Sequence, residues 1–287
     1  MSKDVNEAFQ ILIGWLKHSE AETEAAASHR RSIEARLSAD FEMTRMFRSG
    51  SYGHGTSLSS ISDIDYFAVI PTRNLKQDSG ATLRSVKESL VGRFPNTGIY
   101  VDSPAVVVPF SGGAQRHEII PADYVGSENG YNVYEIPDRL GGWMKSSPSA
   151  HNAWVNEANK IHNGKLKQLI RLVKYWNHVK KVGLRSFYIE LRLTEYAKGE
   201  SFLSYKYDVK GALAHLSSKA LAAMQDPQGI SGYVYPCSSA IKEDALSKVN
   251  TALTRARNAL EDEKAGGVRA AFEWWDKVFG GNFPSYY

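Results

Sequence analysis

Asp63 and Asp65 stand two residues apart at the start of the apolar run Tyr66-Phe67-Ala68-Val69-Ile70, which reads as a strand. A strand turns successive side chains to opposite faces, so the two carboxylates project together while Ile64 and Tyr66 turn into apolar surroundings. Like charges on one face repel, and the pair becomes tolerable when a hard cation sits between them. Mg²⁺ suits that place, because it takes oxygen ligands and shares one or two carboxylates with substrate phosphates. Upstream, Gly50, Gly53 and Gly55 lack a Cβ. The backbone there can turn tightly and bring its N–H groups, with the Ser51 and Thr56 hydroxyls, against a phosphate chain. A metal site beside a phosphate cradle implies nucleotidyl transfer. Asp-x-Asp alone carries little weight, since it recurs on exposed turns as two solvated acids; the Gly-Ser turn before it and the apolar strand after it give it meaning.

Gly50-Ser51 followed by Asp63-Ile64-Asp65 resembles the signature of the DNA polymerase β-like nucleotidyltransferase superfamily. With Gly55-Thr56 and Ser62 included, the segment is most similar to the cGAS-like bacterial nucleotidyltransferases that make cyclic oligonucleotide signals. The resemblance implies a third acid on a later strand, before a Pro-Ala step, which helps deprotonate the attacking 3′-hydroxyl and ligates the second ion. The matching text is His117-Glu118-Ile119-Ile120-Pro121-Ala122. Glu118 thus stands where aspartate is usual, one methylene longer with the same charge. Asp123 is the nearest rival and is expected in a loop; His117 alternates off the Glu118 face and is expected to be structural.

Farther on, Leu169-Ile170-Arg171-Leu172-Val173-Lys174-Tyr175-Trp176-Asn177 resembles the family helix that supplies a lysine to the triphosphate. Lys174 is the matching residue and Arg171 a second contact. The bland alternative is a solvated basic helix face. Ser186 and Phe187 match a serine that touches phosphate and an aromatic that stacks on the base, although core packing would serve Phe187 equally well. The closing Phe279-Gly280 and Phe283-Pro284 complete a resemblance that covers nearly the whole chain.

The resemblance implies a Mg²⁺- or Mn²⁺-dependent enzyme, with Asp63, Asp65 and Glu118 both catalytic and metal-binding. Gly50, Ser51, Lys174, Ser186, Phe187 and Arg171 would bind ribonucleoside triphosphates. The product would be a cyclic di- or trinucleotide sensed by a separate effector in bacterial anti-phage defence. Two rivals stay open: another transferase on the same scaffold, acting on tRNA ends or antibiotics, and a nucleotide-binding regulator weakened by the Glu118 exchange.

The elements that must position these residues follow from periodicity. Phe9, Leu12, Ile13 and Leu16 recur as one helical face, and a second helix is expected over 20–39, with Arg30 and Arg31 as solvated surface charges. A short strand over 44–47 and a helix over 81–91 follow. Strands are expected over 99–102, 105–110 and 116–120, then a loop-rich crossover over 126–149. From Ala150 the pattern is almost wholly helical, with Asp226 in a polar loop. The expected fold is α/β, a polymerase β-like lobe with a mixed sheet (residues 1–150) and a helical lobe (151–287), with the active site in the cleft between them. The 287 residues hold one cysteine, Cys237, which excludes a disulfide framework and a thiolate zinc module. Net charge of +4 is too small to demand a long nucleic-acid partner. No apolar run is long enough to span a membrane, and a cytoplasmic monomer is expected.

Overall fold

The computed structural model describes residues 4–59, 61–113 and 115–287. The chain forms two compact units, one of Met1–Lys17, Val155–Gln225 and Tyr233–Tyr287, the other of His18–Trp154 and Asp226–Gly232.

The second unit is built on a sheet. Helix α1 (Val5–Trp15) precedes it and belongs to the first unit. Helix α2 (Glu20–Phe41) starts at a capping box, in which the Ser19 hydroxyl accepts from the Glu22 N–H and the Glu22 carboxylate accepts from the Ser19 N–H. Then come β1 (Arg45–Arg48), the short helix α3 (Gly50–His54), β2 (Ile64–Val69), α4 (Ser79–Arg93), β3 (Tyr100–Asp102), β4 (Ala105–Phe110), β5 (Gln115–Glu128), β6 (Tyr131–Pro137) and β7 (Trp143–Ser146). Among the described residues these seven strands form one sheet. Its order is β1-β2-β5-β4-β3, with β6 paired to β5 and β7 to β6. Only the β2/β5 pairing is parallel, and it sets Asp65 directly opposite Glu118.

Alternation along β2 sorts its two faces. Ile64, Tyr66 and Ala68 join Ile119, Val106 and Val108 under Ile33 and Leu37 of α2 and Leu83, Val86 and Leu90 of α4. Phe67 and Val69 join Ile120, Ala122, Tyr134 and Ile136 on the opposite face. Asp65 and Glu118 continue that second face at its end, so the core alternation itself brings the acids together.

The expected crossover over 126–149 is instead mostly strand. β5 runs on past the Pro-Ala step to Glu128, with a register shift between Tyr124 and Gly126, and β6 and β7 return beside it. Gly126 and Gly130 take positive φ there, so the glycines mark a bulge and a hairpin turn within the sheet. Asp123, expected in a loop, lies in β5 paired with Glu135.

The first unit is mainly helical. Helix α5 (Pro148–Ile161) straddles the division at Trp154, and α6 (Lys165–Val179), α7 (Ser186–Ala197) and α8 (Tyr205–Ser218) follow. A small hairpin of β8 (Met224–Gln225) and β9 (Tyr233–Val234) interrupts the helices before α9 (Lys242–Lys264) and α10 (Val268–Val278). On α1, Phe9 meets Trp275 of α10 edge to face, with ring centroids 4.9 Å apart.

Candidate active site

Gly50 shows how closely the Gly-Ser segment approaches the acids. Its φ is +51°, and a Cβ built there would lie 1.9 Å from Asp65 Oδ2. Any other residue would be strained and would displace that carboxylate. The Ser49 N–H donates to the Asp65 carbonyl at 2.9 Å, which ties the start of α3 to β2. Gly53 packs as tightly, since a Cβ there would sit 2.7 Å from the Arg48 carbonyl oxygen. The expected turn is thus the single short helix α3 laid against β1 and β2. Thr56, read as a phosphate contact, is fully buried, and its N–H donates to the Ser51 carbonyl at 2.9 Å, closing α3. Ser62 acts in the same way by accepting from the Leu58 N–H at 2.9 Å.

Asp63 stands one residue before β2, beside Arg116, while Asp65 faces Glu118 across the parallel pair. Glu118 lies within hydrogen-bonding reach of both aspartates. Arg116 completes the group. Its Nε is 3.1 Å from Asp63 Oδ1, and its Nη2 donates to Glu118 Oε1 at 3.1 Å. Burial pushes the Asp63 carboxyl above the usual range despite Arg116, and burial plus the Asp63 charge push Glu118 up as well. For Arg116 burial acts against the charge, yet Asp63, Tyr100 and Glu118 hold its pKa up.

Among the described residues no three His, Cys, Asp or Glu side chains close into a ready metal cage. Asp63 and Glu118 are drawn onto the guanidinium instead. The donor set nonetheless fits Mg²⁺ or Mn²⁺. It consists of three hard carboxylates on one sheet face, an organic cation already rests among them, and Gly50 leaves room for Asp65. Arg116 escaped the sequence reading, although its i, i+2 spacing to Glu118 on one strand was a usable signal.

In the first unit, α6 and the start of α7 carry the remaining candidates. Lys174 is not on an open basic face. It is 4% exposed, and its Nζ donates to Glu190 Oε1 of α7 at 3.1 Å. Helical spacing explains this, since Lys174 follows Ile170 by four residues and so falls in the apolar stripe. Arg171 is half-buried, and its Nη1 donates to Gln168 Oε1 at 3.1 Å; burial pushes its pKa down. Ser186 is exposed and Phe187 half-buried, at the first turn of α7.

Three further expectations are settled by packing. Arg30 is not a free surface charge, because its Nη2 donates to the Met46 carbonyl at 2.6 Å and its guanidinium lies over the Tyr66 ring. His117 is structural as expected, fully buried beside Tyr66 and Phe110. Burial first, then the nearby His29, pushes its pKa down to about 4. Asp226 lies in the loop between β8 and β9, as expected, with its side chain buried. It accepts from the Gln228, Ile230 and Ser231 N–H groups and lies 2.9 Å from His151 Nε2.

Comparison with known proteins bears on the family and the fold. Residues 3–159 match the model of the Second Messenger Oligonucleotide or Dinucleotide Synthetase domain. A probable cyclic nucleotide synthase of Bacillus cereus is 27% identical over 274 residues, covering 90% of this chain and 81% of its own. A cyclic AMP-AMP-AMP synthase of Escherichia coli is 25% identical, over 85% of this chain and 84% of its own. The structure of the E. coli protein CdnC with ATP superimposes with a TM-score of 0.80 at 21% identity, covering 99% of this chain and all of that one. The mixed sheet and the helices therefore have the fold of that protein, a polymerase β-like nucleotidyltransferase fold. The acids on β2 and β5 accordingly belong to a cyclic oligonucleotide synthase, and the chain is a member of the Second Messenger Oligonucleotide or Dinucleotide Synthetase family.

Proposed function

We propose that Asp63, Asp65 and Glu118 form the catalytic centre of this nucleotidyltransferase and hold Mg²⁺ or Mn²⁺. The reading rests on the parallel register that sets Asp65 opposite Glu118, with Gly50 against the Asp65 carboxylate. When bound, the metal supplies charge neutralisation at the reacting phosphate and lowers the pKa of the attacking hydroxyl. The chain's residues do the rest. Glu118 accepts the proton of the 3′-hydroxyl of one nucleotide as its oxygen attacks the α-phosphorus of another. The bond from that phosphorus to the bridging oxygen breaks, and pyrophosphate leaves. Backbone at Gly50 and Ser51 faces the triphosphate, while Arg171, Lys174 and Ser186 neutralise or orient phosphate groups. Phe187 stacks on a base. One or two such transfers and a ring closure give a cyclic di- or trinucleotide, which a separate effector senses in anti-phage defence.

ATP is the first substrate to supply, since the E. coli relative is named for cyclic AMP-AMP-AMP. Mass spectrometry of reactions containing the four ribonucleoside triphosphates and Mg²⁺ or Mn²⁺ should reveal a cyclic product. Asp63→Asn with Asp65→Asn should abolish it, because neutral amides keep the volume but cannot balance metal charge. Near wild-type pyrophosphate release from that double variant would overturn the assignment.

A further inference from the structure

The positive charge among the three acids belongs to the chain itself. Parallel pairing of β2 and β5 produces a two-by-two arrangement on one sheet face, with Asp63 beside Arg116 and Asp65 beside Glu118. Three corners are acidic and the fourth is a guanidinium. We propose that Arg116 is an internal counter-ion that competes with divalent metal for Asp63 and Glu118 and so sets the metal affinity of the site, an inference that rests on these acids being the metal ligands.

The two contacts differ in kind. Arg116 Nη2 makes a true hydrogen bond to Glu118 Oε1, whereas Nε approaches Asp63 Oδ1 to 3.1 Å without hydrogen-bond alignment. One charge-assisted hydrogen bond and one Coulombic contact, with about a third of the Arg116 and Asp63 side chains and less of Glu118 facing solvent, make a hold strong enough to collect two repelling acids. A doubly charged ion with several oxygen contacts can still displace it. The released guanidinium has a second support close by. Its carbon lies 6.0 Å from the centre of the Tyr100 ring on β3, and an aromatic face accepts a cation at that range. Arg116 would then remain beside the acids as a positive group facing the polyphosphate. Without Arg116, Asp63 and Glu118 would face each other in the metal-free protein with no counter-charge, and the site would take up metal more avidly.

The test measures metal binding in the absence of nucleotide. Free Mn²⁺ is titrated by electron paramagnetic resonance against the full chain, Arg116→Gln, and Arg116→Gln with Asp63→Asn. Arg116→Gln should bind Mn²⁺ about tenfold more tightly, equivalent to about 1.4 kcal/mol. Adding Asp63→Asn should remove that gain. In metal-free thermal melts Arg116→Gln should unfold below wild type, and Mn²⁺ should raise its melting temperature by the larger increment. If wild type binds Mn²⁺ through the acids and Arg116→Gln binds it equally or less tightly, the counter-ion role is overturned and the metal site stands. If neither protein binds Mn²⁺, both are overturned.

Discussion

At Glu118 the methylene that distinguishes it from aspartate has a visible use, because the longer side chain reaches both the aspartates and the Arg116 fork. Glu118→Gln should lower pyrophosphate release roughly 10²-fold or more, the usual scale for losing a positioned base. Glu118→Asp keeps the charge and should retain more activity than Glu118→Gln. Stability should move differently. Asp63 and Glu118 have raised folded-state pKa values, so protonation favours the fold, and metal-free stability falls as pH rises through those values. Removing one negative charge from the pair therefore costs the metal-free fold nothing, and Glu118→Gln should melt no lower than wild type at pH 7. A lower melting temperature together with lost activity would mean that Glu118 serves packing rather than chemistry. The acids themselves were legible in the sequence because each lies in a short motif with fixed strand alternation. Arg116 was harder to find, since its meaning depends on a strand pairing that joins residues some fifty positions apart.

Elements were legible where one period dominated. The β2 alternation and the apolar face of α1 follow directly from their residues, whereas the segment over 126–149 did not, because its glycines and prolines punctuate short strands as readily as they fill a loop. Helix α6 shows the same limit. Its basic residues share one face in the sequence pattern, available to phosphate or to solvent, but Lys174 sits among apolar neighbours and is paired with Glu190 on α7. That partner comes from the next helix, beyond the reach of any pattern within α6. The pair makes the simplest mutational test ambiguous. Lys174→Ala would strand a buried carboxylate and should destabilise the protein by about 3–5 kcal/mol in urea unfolding, whatever its effect on nucleotide. Lys174→Met combined with Glu190→Leu removes both charges at similar volume and should recover most of that loss. ATP binding should stay weak in this stable double variant if Lys174 meets the triphosphate. Recovery of binding together with stability would restrict Lys174 to a structural role.

Chain order and spatial order part company at the scale of the whole molecule. A linear reading places α1 with the sheet, since the two are consecutive in sequence. The structure groups α1 with the helices from Val155 onward, so the sheet unit is an insertion within the helical one. The reason lies in side chains at opposite ends of the chain. Phe9 is fully buried, and its ring meets Trp275, Phe283 and Phe279 with centroids 4.9, 5.1 and 6.1 Å away. The apolar face of α1 was legible from the sequence, but the aromatics it packs against were not, because nothing local in α1 names its partner. The helix supplies its own control, since Trp15 is 57% exposed on the same element. Phe9→Ala should therefore cost about 3–5 kcal/mol, the range for emptying a buried aromatic site, while Trp15→Ala should stay within about 0.5 kcal/mol. Urea unfolding followed by circular dichroism measures both. Similar small losses for the two variants would show that α1 is not a working part of the helical core and would return it to the place that chain order suggests.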